Sequence, residues 1–525
     1  MTIIARATEM ASDVLGQVQD AIVANPTIVK AVAGVAAAAL VTRAVVTYMR
    51  LSNIPGPLVA KFTNLQRAGW VWSFDAHNIH IKMHEKFGNV VRFGPNMVSL
   101  ADPREIPKIY KMHNPLIKSD YYHVILPRVD GEIMPSLFPT QDEALHRKMK
   151  RPIGGVYSMS NLTSFESLVD NTIEVFLQQI NTRFINAGKA FDFGQWVQYF
   201  AFDVIGEITF SKRLGFLERG VDVDALMGSI WLWFNYTSVV GQMPWLDYVL
   251  AKNPAFGVIL SMVPNPLTNF AQARREERLA DRAAGKPVSD RDFLARFLEA
   301  FERDPSLPSW TIKAWTISNV LAGSDTTAIF LRTMFKNLVE KPETMARLRK
   351  ELEDARENGE LSRIVSWKEA KKLPFLEACV HESGRIHPPF GLHLERIAPE
   401  GGIEIEGKFI PEGTVVGMNA WVVHRNKDVF GEDADTWRPE RWMEADADKR
   451  KLMESCLLTF GAGHRTCLGK HISLLEIYKL VPTMLMEYDF KFVDPKKPWT
   501  VKNRWFVPQF DMNMILSKRE GATVA

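Results

Sequence analysis

Cysteine is scarce in this 525-residue chain: Cys379, Cys456 and Cys467 are all it has. Three thiols cannot build a disulfide framework or a four-cysteine zinc site, and a reducing compartment is the simpler setting. Excess charge of one sign is lacking too. Lys and Arg number 64 against 61 Asp and Glu, a net of +3, so no basic field argues for nucleic acid. No internal repeat or low-complexity tract stands out, which argues against solenoids and arrays. No Gly- or Ser-rich linker divides the chain after residue 70. With 46% hydrophobic residues, wholesale disorder is excluded and one large domain is favoured over the three or four that length allows.

One long hydrophobic run is present. Residues 31–42 are uncharged, Arg43 interrupts, and residues 44–49 resume the run. As a single helix, residues 31–49 would be about 28 Å long, close to the roughly 30 Å hydrocarbon core of a bilayer. Arg43 lies near the C-terminal end, within snorkelling reach of the headgroups. A soluble Ala-rich helix, or one lying flat in the interface, is the alternative. Arg50, Lys61 and Arg67 follow with no acid before Asp75, whereas Arg6 and Lys30 precede the run alongside Glu9, Asp13 and Asp20. That bias places the bulk of the chain in the cytosol. The expected organisation is a membrane segment within residues 1–50, a proline-rich hinge at 51–58 around Ile54-Pro55-Gly56-Pro57, and a globule over 59–525.

Helical periodicity dominates residues 70 to 400. The longest candidate starts near Ser309, after Pro308, and ends at Lys341, before Pro342. At about 32 residues it would measure on the order of 48 Å and cross most of a domain. Strand signals cluster at 90–100 and again at 402–423, where Glu406-Gly407 and Glu412-Gly413 supply turns. The expected fold class is mainly α with small β-sheets.

The chemistry concentrates at Phe460-Gly461-Ala462-Gly463-His464-Arg465-Thr466-Cys467-Leu468-Gly469. Two glycines before the cysteine allow a tight turn and close backbone approach to a flat ligand. A cysteine opening a helix near Arg465 sits in positive potential, which favours thiolate over thiol. A lone thiolate in a glycine-lined loop suits one axial position of a heme iron. Buried and inert is the commoner state of an intracellular cysteine and is the reading given to Cys379 and Cys456. For Cys467 the pattern F-x-x-G-x-R-x-C-x-G has a chance frequency of only about 10⁻⁵ to 10⁻⁴ per chain.

This segment resembles the heme-binding loop of the cytochrome P450 monooxygenases at every fixed position, and three further motifs follow the family's order. Ala322-Gly323-Ser324-Asp325-Thr326-Thr327, in the long helix, is similar to its oxygen-activation motif. Glu382-Ser383-Gly384-Arg385, ahead of His387-Pro388-Pro389, resembles E-x-x-R, and Pro439-Glu440-Arg441-Trp442 resembles P-E-R-W. The intervals agree as well: 56 residues from Thr326 to Glu382, 56 from Arg385 to Arg441, 26 from Arg441 to Cys467. Phe202-Asp203-Val204-Ile205-Gly206-Glu207 resembles a helix of fungal members such as the pisatin demethylase-like group.

The resemblance implies heme b with Cys467 as proximal thiolate, Phe460 against the heme and Arg465 on a propionate. Arg396 resembles another propionate ligand. Where the family commonly has W-x-x-x-R, this chain has His146 and Lys150, which can still donate to a propionate. Asp325 and Thr326 would deliver protons for dioxygen activation. Glu382, Arg385 and Arg441 would form a buried structural network. The implied reaction inserts one oxygen atom from dioxygen into an apolar small molecule, by hydroxylation, epoxidation or multi-step oxidation, in fungal secondary metabolism. Detoxification of plant compounds is the alternative setting. A heme-thiolate isomerase or dehydratase and a non-catalytic heme sensor are the rival activities, and the Asp325–Thr326 pair argues against both.

Only 58 residues follow Cys467, too few for a fused flavin domain. NADPH-derived electrons are therefore expected from NADPH-cytochrome P450 reductase, with cytochrome b5 as a second donor, at the endoplasmic reticulum membrane. Lys148, Arg151, Lys449, Arg450 and Lys451 are the candidate docking cations. Residues 231–234 and Pro244-Trp245 fall where the family roofs its pocket, which suggests an apolar ligand.

Overall fold

The computed structural model describes residues 26–129, 132–253 and 266–519. Arg6, Glu9, Asp13 and Asp20, which contribute to the expected membrane orientation, lie outside the described residues.

The apolar run forms the helix Pro26–Arg50, which starts earlier than the hydropathy pattern predicts. Its stretch Lys30–Arg50 has a mean hydropathy of 1.7, is long enough to cross a membrane, and has none of its apolar window buried inside the globule. The segment that follows is packed rather than free. Leu51 and Ile54 are fully buried in the cluster that includes Val90, Val98 and Val416.

The long helix is Thr311–Glu340, two residues shorter at its start than predicted. Trp310 precedes it without a side-chain cap, and Pro342 opens the next helix, which forces Lys341 out of helical geometry (ψ 82°). It packs on the helix Phe193–Phe210 on one side and on Lys470–Glu487 on another. Ile205 packs against Gly323, where an added Cβ would lie 3.0 Å from it.

The strand signals resolve into small sheets. Val90–Gly94 and Met97–Leu100 form a hairpin, with Pro95-Asn96 at its turn. Val415–Met418 joins it in parallel, and Arg396–Ile397 closes the four-stranded sheet on the far side. Ile403–Ile405 and Lys408–Ile410 make a separate hairpin, and residues 420–423 are helical where strand was predicted. A bridge from Lys118 to Arg396 brings two distant cations side by side.

Behind the cysteine loop lies the expected three-residue network. Glu382 accepts from Arg385 at 2.7 and 2.8 Å, from Arg441 at 3.0 Å and from the Trp442 indole at 2.9 Å. Arg385 also donates to the carbonyls of His424, Ala434 and Thr436. Burial works to raise the Glu382 carboxyl, but the hydrogen bonds and charges of Arg385 and Arg441 outweigh it and hold the group below its ordinary value. A buried carboxylate survives only when paired this completely.

Candidate active site

A cavity of about 1200 Å³ lies between the long helix and the cysteine loop. Within the loop, the Cys467 N–H donates to Phe460 O at 2.8 Å and the His464 N–H to Lys111 O at 3.1 Å. Gly463 has φ +67°, and a Cβ there would sit 2.0 Å from Tyr110 O, so only glycine fits. Cys379 and Cys456 are buried; Cys467 is exposed, and the space it faces is the cavity. Enclosure by protein pushes its thiol up, while the Gly469 and Lys470 backbone N–H groups and the Lys470 charge pull toward thiolate. Phe460 lines the cavity and stacks on Phe330 of the long helix at 6.5 Å.

One end of the cavity is cationic. Arg396, Arg465, Lys118, Lys150 and His146 all line it. Their hydrogen bonds divide them into two sets. Arg465 donates to Glu143 at 2.8 and 3.0 Å, to Leu137 O at 3.1 Å and to Thr140 O at 3.0 Å, so its fork is taken up by protein. Lys150 donates to His464 O at 3.0 Å. In the second set, His146 is buried and its Nδ1 has no partner; burial and then the charges of Arg465 and Lys150 push it down to about 2, so it is neutral. Arg396 donates to Glu395 O at 2.8 Å and lies over the Tyr110 ring. Lys118 is buried, donates to Phe138 O, and lies 4.2 Å from the Tyr122 ring centroid. The Tyr122 hydroxyl is buried beside the Arg396 guanidinium.

Sequence reasoning missed Lys118, Tyr122 and Glu143 here, and no motif marks any of them. Glu395 does not neutralise this end, since it turns to Arg67 at 2.6 Å and Ser119 at 2.5 Å. Glu143, His146 and His464 place ligand-type atoms within 4.8 Å of one another, but Arg465, Lys150 and Lys118 surround them and would repel a cation. An excess of buried donors and positive charge suits a ligand with two carboxylates.

Asp325 and Thr326 part company. Thr326 lines the cavity and its hydroxyl donates to Ala322 O at 2.8 Å. The Asp325 carboxylate turns to the helix Phe193–Phe210, where it accepts from the Gln198 amide. Burial pushes it up to about 6, with Arg332 and the Gln198 hydrogen bond opposing. Gln198 is a further residue that the sequence did not single out.

The remaining walls are largely apolar. Leu232, Trp233 and Phe234 line the cavity as expected, together with Trp505 and Phe506. Trp231 packs against Phe510 instead, and Trp245 is 63% exposed. A flat apolar macrocycle bearing two acid groups matches this arrangement: the sulfur of Cys467, the aromatic wall of Phe460, and the buried donors at the cationic end. The residues present therefore fit heme.

Residues 54–516 match the family described as cytochrome P450. The chain is similar to a cytochrome P450 monooxygenase of Aspergillus terreus (strain NIH 2624 / FGSC A1156), 53% identical over 447 residues, which is 84% of this chain and 91% of the relative. It is 48% identical over 476 residues to cytochrome P450 monooxygenase cicH of Emericella nidulans, covering 90% of this chain and 95% of that one. Cytochrome P450 monooxygenase pkfB of the same organism is 45% identical over 481 residues, or 90% and 92% of the two chains. The cysteine loop, the cavity above it and these relatives agree: the chain belongs to the cytochrome P450 family and is a cytochrome P450 monooxygenase.

Proposed function

We propose that the chain is a membrane-anchored monooxygenase that inserts one oxygen atom from dioxygen into an apolar small molecule of fungal secondary metabolism. One observation carries the reading: Cys467 and Thr326 border the same cavity, whose remaining walls are largely apolar. The fungal source of the relatives supports the setting. The segment Phe202–Glu207 carries the narrower likeness to the pisatin demethylase-like group.

In this reading Cys467 would hold the heme iron through its thiolate, and Phe460 would lie against the macrocycle. Arg396, His146, Lys118 and Tyr122 would meet the propionates. Arg465 and Lys150 frame the same end through Glu143 and His464 O. When bound, the heme supplies the activation of dioxygen, which no side chain can perform. The chain's own residues bind and orient the substrate against Trp233, Phe234 and Phe506, and exclude water from it. Thr326 holds a proton at its Oγ1, and Asp325 resupplies it from the Gln198 side.

Electrons derived from NADPH arrive through a reductase, with cytochrome b5 as a second donor. Of the candidate docking cations, Arg151 and Lys451 are exposed, whereas Arg450 is committed to Glu377 and Glu454. The helix Pro26–Arg50 supports single-pass anchoring at the endoplasmic reticulum, with the globule cytosolic.

The test is the reduced, carbon-monoxide-bound spectrum of membranes expressing the protein, with Cys467→Ala beside it. A red-shifted Soret band lost in the variant, with NADPH-dependent dioxygen uptake in the wild type, is expected. A normal Soret band in folded wild type would remove Cys467 as the ligand. Heme-thiolate spectra without dioxygen uptake would replace the monooxygenase with an isomerase or a sensor.

A further inference from the structure

The last carbonyls of a helix have no partners within it and carry the negative end of its dipole. In the anchor helix Pro26–Arg50 two of them, on Thr47 and Tyr48, are taken by Arg92, at 2.7 and 3.0 Å. The same guanidinium donates to Gly94 O at 3.2 Å, Pro95 O at 2.8 Å and Lys61 O at 3.2 Å. Its side chain is fully buried, on a residue held in the edge strand Val90–Gly94. Five carbonyls from three separate stretches of chain thus converge on one cation, and two of them belong to the helix end.

The chain between helix and strand is fixed at the same place. The Arg92 N–H donates to Pro55 O at 2.7 Å, and a Cβ on Gly56 would lie 2.3 Å from Arg92 O. Pro55-Gly56 is therefore laid flat on the Arg92 backbone, an approach only glycine permits. Arg50, the last residue of the helix, donates to Glu412 O in the turn before Val415–Met418. Tyr48 stacks on Phe62 at 5.8 Å, and Leu51 and Ile54 are fully buried. A Pro-Gly-Pro sequence after an apolar helix reads as a stiff turn that separates helix from globule. Here the joint is plugged into the sheet from both sides.

We infer that Arg92 clamps the membrane helix to the catalytic globule, so that the two tilt on the bilayer as one body and the cavity mouth keeps a set height above it. The inference rests on the anchor reading for its biological meaning, but the clamp is a property of the chain alone and can be measured apart from it. A guanidinium suits this position because its planar fork reaches several acceptors at once, which an ammonium cannot match.

The experiment uses full-length holoenzyme carrying nitroxide labels at Leu40→Cys, on the helix, and Glu404→Cys, on the sheet hairpin. Cys379 and Cys456 are buried and do not compete for label. Pulsed electron paramagnetic resonance reads the distance between the two labels in lipid nanodiscs and again in lipid-free detergent. One narrow peak in both media is expected for wild type. Arg92→Gln should lose that peak while keeping its carbon-monoxide Soret band and its recovery with the discs. A broad distribution in wild type, or an unchanged narrow peak in Arg92→Gln, overturns the clamp. If Arg92→Gln fails to fold, the wild-type distribution alone decides. Wild type recovered outside the discs would remove the anchor reading, and the detergent measurement would still decide the clamp.

Discussion

Asp325 and Thr326 are consecutive in the chain yet face different compartments: the Thr326 hydroxyl borders the cavity, and the Asp325 carboxylate is buried against Gln198, whose own oxygen accepts from Arg332 at 2.6 Å. The alcohol and the acid therefore fail differently when removed. Thr326→Ala should leave NADPH consumption running but divert it, with hydrogen peroxide replacing product. Asp325→Asn should slow product formation by about 10²-fold, the low end of what a positioned acid contributes. Parallel assays of NADPH, peroxide and product check both, and equal coupling in wild type and Thr326→Ala would remove the alcohol's role.

The same carboxyl makes a stability prediction. Its native pKa, about 6, lies above the unfolded value of 3.8, so its contribution to stability is present below 3.8 and lost as pH rises through about 6. Asparagine keeps an acceptor for Gln198 and carries no charge. Asp325→Asn should melt above wild type at pH 8 and close to it at pH 4. A lower melting temperature at pH 8 would mean that the ionised carboxylate stabilises the helix pair.

At the cationic end, the division of hydrogen bonds separates lysines that look alike in sequence. Lys150 gives its ammonium to His464 O, whereas buried Lys118, beside Arg396, donates to Phe138 O. Lys118→Met should release heme to a scavenging apoprotein several-fold faster than wild type, because a charge-assisted partner of a propionate is gone. Lys150→Met should release it at a rate nearer wild type. The reverse order would assign the propionate to Lys150, as sequence position alone suggests.

The four motifs were legible because each is short and carries its chemistry in local spacing. Glu382 and Arg385 share one helix face, and Cys467 follows the turn that Gly463 permits. Pro342 marked the end of the long helix to within a residue. What the sequence hid is what distant segments build together. Lys118 reaches Arg396 through a bridge between remote strands, Glu143 meets Arg465 across the cavity end, and Gln198 meets Asp325 across two packed helices. Residues 51–58 read as a hinge from Pro-Gly-Pro, and nothing local announces that Pro55 and Gly56 will lie against the Arg92 backbone.

Gly463 offers a test of the loop itself. Alanine there must adopt φ +67° and push its Cβ against Tyr110 O, a backbone atom that cannot swing aside. The left-handed conformation alone costs about 1 kcal/mol, and relief of the clash would have to move the loop. Gly463→Ala should therefore fold with its helices intact by circular dichroism yet bind heme substoichiometrically, as read by the pyridine hemochrome. Full heme content would show that the loop can yield at Tyr110 without disturbing Cys467.

Acid should loosen the protein through its histidines. His77 and His84 are pushed down to about 4, His387 and His424 to about 3, and His80 and His393 well below their ordinary value, with burial the largest cause in each. Hydrogen bonding shows what a proton would break. His84 Nδ1 donates to Gly88 O at 2.8 Å, so its Nε2 must accept from the Ser99 hydroxyl at 2.6 Å. Ser99 Oγ can then only accept from His393 Nε2, at 2.7 Å. A proton on His84 Nε2 sets two donors against each other. Below pH 6.5 the unfolded chain takes up protons at all six rings that the native protein refuses, and stability falls. Four buried acids work the other way: Asp203 and Asp325, raised to about 6, Glu476, raised well above its ordinary value, and Glu207, raised by burial, hold protons that the unfolded chain releases. Six sites outweigh four, and each net proton is worth about 1.4 kcal/mol per pH unit. The melting temperature of the holoenzyme should therefore drop steadily from pH 7 to pH 5, and a flat or rising curve would show that the buried acids dominate.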